Sequence, residues 1–290
     1  MMDISCATSA ILFILSNILS IVSLKKYQNR SNFDYEAFTE LDPTHIQEEW
    51  EYRNEHRNLE LSAGVINAVA WFSLLIPMLQ VVWVQSVSGT RQLALHVTVV
   101  VLAFGAATTE LIGRVLYTGS TNAAQWLAKD FNLDNWLSED SNDEIGWRTL
   151  EMIHVVVRGM LLWIDALEWL ALFGISMLLF VSIQTQKDHL LGRRWALFGV
   201  ILGLFSIVDF AADVLRLESW RSFSEIAFVT TAINRVILIP GWLFWLGYQL
   251  PQAKALARKQ STTVAEGMQA SSVVVAKDAT EEQTESATLT

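Results

Sequence analysis

The 290-residue chain has one cysteine, Cys6, so no disulfide can form within it. It has no Cys/His set at zinc spacing, no phosphate-cradling glycine loop and no nucleophile elbow. No Ser, His and Asp share a depth at which they would form a catalytic set. Basic residues are the minority: 20 Lys and Arg against 30 Asp and Glu give a net charge of −10, which argues against nucleic acid as a partner. No repeat of fixed period is present. Glu151-x-x-His154 has the spacing of half a di-iron carboxylate site, but the sequence holds no second copy, so no metal and no cofactor is read from it.

Apolar sequence is what the chain has in abundance: 52% of its residues are hydrophobic and 12 are Trp. The apolar residues fall into six runs, each close to the roughly 20 residues that cross a bilayer. These predict an all-α, polytopic membrane protein with six transmembrane helices near 8–24, 61–84, 92–117, 150–184, 195–217 and 226–249, and no sheet. Four parts follow. Residues 1–25 read as a first transmembrane helix or signal anchor, and 26–60 as an acidic loop with a juxtamembrane helix starting at Asp42-Pro43. Residues 61–250 form a five-helix membrane domain, and 251–290, rich in Ser, Thr and Glu, a disordered tail. The Asp- and Asn-rich stretch 118–148 reads as a loop. Lys187, Arg193, Arg194, Lys254, Arg258 and Lys259 place the fourth link and the tail on the cytoplasmic side, against the opposing vote of Lys25, Lys26 and Arg30.

The apolar runs are not uniformly apolar. Glu151, His154, Arg158, Asp165 and Glu168 share an arc of about 100° on the fourth run. His96, Glu110, Arg114 and Tyr117 share one face of the third, with small Ala103 and Ala107 among them. Asp209 and Asp213 follow a Gly199/Gly203 packing pair on the fifth, and Asn234 and Arg235 lie on the sixth, just before Pro240-Gly241. An ionised group facing lipid costs roughly 2.5 kcal/mol or more, so these faces must turn toward each other. The expected pocket therefore comprises Glu110, Arg114, Arg158, Asp165, Glu168, Asp209, Asp213, Asn234 and Arg235, between spans three and six.

Alignment of the span midpoints puts Asp165, Glu168, Asp209, Asn234 and Arg235 near the bilayer centre. Glu110, Arg114, Arg158 and Asp213 form a shallower layer toward 118–148, and Trp169, Phe205 and Leu238 plug the other side. Arg235 is expected to pair with Asp165, Glu168 or Asp209, and Arg114 and Arg158 with Glu110 and Asp213. Five acids then face four arginines (Arg114, Arg158, Arg216, Arg235), which leaves one acid to take a proton or a cation. Three functions fit. One is proton- or cation-linked transport of a small solute. The second is a non-catalytic scaffold, receptor or assembly factor whose charges only fix helix packing. The third is a membrane-embedded enzyme. Membrane lipid and a small solute, proton or cation are the partners implied.

Overall fold

Apolar runs of this length cannot leave backbone N–H and C=O groups unpaired in lipid, and helix is the local solution. In the computed structural model the described residues are 2–30, 56–87, 92–130, 141–185, 190–215 and 220–288. They are almost entirely helical, and no strand occurs among them. In order they form α1 (Ile4–Arg30), α2 (Arg57–Val87), α3 (Leu93–Asp130), α4 (Ser141–Thr185), α5 (Arg193–Leu215) and α6 (Trp220–Ile233). A π-helical turn at Asn234–Leu238 then leads into α7 (Ile239–Thr288). Among the described residues six segments are long and apolar enough to cross a membrane: Ile4–Ser23, Asn58–Val87, Leu93–Ser120, Gly159–Thr185, Arg193–Leu215 and Ile226–Thr263. The protein is thus a multi-pass, all-α chain of the kind its hydropathy predicts.

Successive helices α2 to α6 pack as neighbours, and α1 closes the set by lying against both α2 and α7. The core carries four fully buried tryptophans, Trp71, Trp169, Trp195 and Trp242. The Gly199/Gly203 pair does what small residues do in membrane helices and lets a neighbour come close. A Cβ on Gly199 would stand 3.1 Å from the Trp242 indole nitrogen, and one on Gly203 only 2.7 Å from Met177 Cε. Trp242 in turn stacks on Trp195 at 4.9 Å, and the Trp195 Nε1–H donates to the Trp242 carbonyl at 3.0 Å. On the other side of the bundle, Ser9 meets Ser73 at 2.9 Å and Phe13 packs edge-on against Trp71.

Three boundaries differ from the sequence reading. First, helix persists well into 118–148: α3 continues to Asp130, and α4 begins at Ser141. Hydropathy marks where lipid ends, whereas polar residues without a breaker can carry a helix on into water. Second, packing in the bundle extends past Pro251, so the tail begins later than expected. Helical backbone continues to Thr288, and the first turns beyond Pro251 are packed, with Ala253 and Ala257 fully buried. A proline lacks the N–H that would bond the carbonyl four residues back, here that of Gly247. The Asp3 N–H supplies the missing donor at 2.8 Å, and Gly247 has no side chain to hold Met2 and Cys6 away. Lys254 then binds the Asp3 carboxylate at 2.7 Å. Burial pushes the Asp3 carboxyl up, but Lys254 and Ser5 more than offset it and hold the group below its ordinary value. The predicted helix over 43–60 lies mostly outside the described residues; from His56 onward it is present and continuous with α2.

Third, the bend expected at Pro240-Gly241 takes the form of a π turn one step earlier. Pro240 cannot donate to Val236, and its ring would press on that carbonyl. Widening the preceding turn relieves both, and Ile239 N–H bonds to the Asn234 carbonyl instead. The consequence for the interior is that Asn234 and Arg235 sit on the widened turn.

Candidate functional site

Glu110 on α3 and Asp165 and Glu168 on α4 bring carboxylate oxygens to within 4.8 Å of one another. Two guanidiniums flank them. Arg114, one turn along α3, donates from Nε to Glu110 Oε1 at 2.6 Å. Arg235, on the π turn, places a terminal nitrogen 3.8 Å from Glu168 Oε2, an ion pair without a hydrogen bond. The Arg235 guanidinium also lies over the Trp169 ring at 5.1 Å, so the indole face helps hold the charge in place. Asn67 from α2 completes the Glu110 environment and donates to the same Oε1 at 2.5 Å.

Glu168 is the unusual member. It is 0% exposed, and among the described residues no donor reaches either of its side-chain oxygens. Its neighbour is the Glu110 carboxyl, with an oxygen of each within 4.8 Å of the other. Two carboxyls so placed can share a proton, whereas two ionised oxygens can each only accept. Among the described residues the cluster brings three carboxylates and two guanidiniums together.

Asp209 belongs to a second, satisfied group. It is fully buried and receives Asn234 Nδ2 at 2.5 Å, Thr231 Oγ1 at 3.3 Å and the Thr230 hydroxyl. Three neutral donors can stabilise an ionised carboxylate without a formal partner. Asn234 and Arg235 are consecutive, so the π turn presents one to Asp209 and the other to Glu168.

Of the nine predicted residues, Glu110, Arg114, Asp165, Glu168 and Arg235 converge in the cluster, while Asp209 and Asn234 form the adjoining group. Asp213 is buried on α5. The side chain of Arg158 lies outside the described residues, as do those of Glu151 and His154 and all of Arg216. Two expectations are corrected. Glu110 is not in a shallower layer with Asp213 but at the depth of Asp165 and Glu168. Midpoints of apolar runs are a poor common origin when helices of different length are offset against one another. The network also reaches beyond spans three to six: Asn67 carries it into α2, and Ser16 Oγ, 3.3 Å from Asn67 Oδ1, into α1. Asn67 was visible as a polar residue in an apolar run, but a lone Asn gives no sign of its partner.

On the side expected to be plugged, Trp169 is buried directly beneath Arg235, and Leu238 is 8% exposed. Beyond that apolar layer a separate polar group appears, in which His96 Nε2 and Ser182 Oγ are 3.0 Å apart and Ser182 reaches Gln85 at 2.7 Å.

No known protein family, curated protein or solved structure matches this chain. The functional argument therefore rests on the geometry of the site.

Proposed function

We propose that this multi-pass protein is a proton-linked transporter of a small solute, with Glu168 and its neighbour Glu110 as the proton site. One observation carries the reading: Glu168 is wholly buried beside two other carboxyls with no donor on either oxygen. A network that served only to hold helices together would pair each acid, as Asp209 is paired. A proton suits the cluster better than a metal ion. A cation among these oxygens would sit close to two guanidiniums already directed at them. Exchange of one proton changes the charge facing Arg235 by one unit, and that change can bias the π turn that carries it. Arg114, with 36% of its side chain exposed, forms the accessible edge, and Trp169 seals the opposite one. In this reading the tail and the fourth link face the cytoplasm.

The scaffold reading keeps one observation in its favour, the closed hydrogen bonding around Asp209. Infrared spectroscopy in lipid separates the two, because a neutral carboxyl absorbs apart from an ionised one. A neutral-carboxyl band should be present at neutral pH, vanish in Glu168→Gln and persist in Asp209→Asn. In Glu168→Gln the carboxyl proposed to share the proton with Glu110 is gone. The absence of such a band, or a band that Glu168→Gln leaves intact, would remove the proton site.

A further inference from the structure

A cavity of about 650 Å³ lies between α2 and α3. That volume falls within the ~300–1,000 Å³ of ordinary ligand pockets. Its walls are Leu61, Val65 and Val69 on α2 and Leu111 and Val115 on α3, all exposed at the protein surface. Both stretches lie in membrane-crossing segments, so the cavity is a groove open sideways to lipid. An apolar groove in a membrane says little by itself. This one has an ordered polar end.

The order follows from the sequence of α2. Gly64 has no side chain, and a Cβ there would stand 3.0 Å from Arg114 Cδ, so the glycine is what lets Arg114 lie across the groove floor. Arg114 binds Glu110 through Nε and keeps 36% of its side chain exposed while it lines the groove. Glu60 precedes Gly64 by one turn, about 6 Å nearer the end of the span. Tyr117 OH donates to Glu60 Oε2 at 2.8 Å and fixes that carboxylate at the groove mouth. From water inward, the groove therefore presents a negative group, then a positive one, then hydrocarbon.

We propose that this groove binds a zwitterionic glycerophospholipid. Such a lipid carries its charges in the complementary order: the ammonium outermost, the phosphate next and the acyl chains innermost. The ammonium would meet Glu60 and the phosphate the Arg114 guanidinium, whose planar donors suit phosphate oxygens. One acyl chain would run along Val65, Val69 and Leu111 toward Phe72, a length of about 18 Å from Glu60. An anionic lipid with no ammonium would leave Glu60 facing uncompensated negative charge. The groove shares Arg114 with the carboxylate cluster, but Glu60 is no part of that cluster, so lipid selectivity at Glu60 can hold or fail whatever becomes of the proton reading.

Native mass spectrometry tests it, on full-length protein equilibrated with mixed micelles of equal phosphatidylethanolamine and phosphatidylglycerol. The wild type should retain phosphatidylethanolamine at least about threefold over phosphatidylglycerol, a ratio that corresponds to well under 1.4 kcal/mol. Glu60→Lys should reverse the preference, because the mouth of the groove then attracts a purely anionic head. Val65→Trp, at a surface-exposed position that folding does not need, should reduce retention of both lipids. Equal retention by the wild type, an unchanged ratio in Glu60→Lys, or a second copy of the chain seated on this face in cross-linking from Val65→Cys would each overturn the proposal.

Discussion

Arg235→Ala is expected to lower unfolding free energy by about 3 kcal/mol, measured by denaturant or thermal unfolding in detergent. Arg235 is 13% exposed and is the cation that faces Glu168, and removing one partner of a buried ion pair leaves the other charge without compensation. It also strips the cation from the Trp169 face. The penalty should shrink as pH falls, because a second proton can replace the lost guanidinium charge. Asp209→Asn should cost under about 1 kcal/mol, although Asp209 is just as deeply buried. A new amide there can still accept from the threonines, and Asn234 can rotate its carboxamide so that Oδ1, which has no partner in the wild type, takes the new N–H. Equal losses in Arg235→Ala and Asp209→Asn would mean that the two groups are energetically alike and that Glu168 has a stabilising partner other than Arg235.

Trp169→Ala carries the second large effect. The side chain is 1% exposed, and deleting a buried Trp costs about 3–5 kcal/mol through lost burial and the cavity left behind. The functional consequence is more specific than the stability loss. Trp169 separates the carboxylate cluster from the end of the bundle that holds His96 and Ser182. A cavity at that position lets water bridge the two polar groups, so the variant should pass protons without solute. Trp169→Phe keeps an apolar plug and should not leak. Proton leak into vesicles with an imposed pH difference is the readout. A tight Trp169→Ala would show that the seal lies elsewhere, with Leu238 the next candidate on its buried position.

The membrane architecture was legible in the sequence because long apolar runs admit few alternatives. All six spans overlap the expected positions, four of them to within about four residues at both ends. The fourth starts at Gly159 rather than 150, and the sixth runs to Thr263 rather than 249. The core of the site was legible for a related reason. Glu110, Arg114, Asp165 and Glu168 fall on helix faces that lipid will not accept, so α3 and α4 had to turn them toward each other. What stayed hidden depends on the offset between helices. No periodicity reveals that Asn67 faces Glu110, or that the N-terminal backbone of Asp3 supplies the donor that Pro251 lacks. The π turn was half visible: Pro240 announced a distortion, but whether the helix would bend or widen depended on its neighbours. The helical extensions of α3 and α4 beyond the membrane were missed because hydropathy reports solvent rather than backbone conformation.

The central claim, that the Glu168 cluster takes up a proton in linkage with a solute, is tested most directly by proton flux into proteoliposomes. A pH-sensitive dye is trapped inside, and candidate solutes are added outside in turn. The account predicts solute-dependent acidification by the wild type, its loss in Glu168→Gln and in Asp165→Asn, and its retention in Asp209→Asn. If no solute moves protons with the wild type, or if Glu168→Gln moves them as fast, the cluster is a packing device and the protein is a scaffold rather than a transporter.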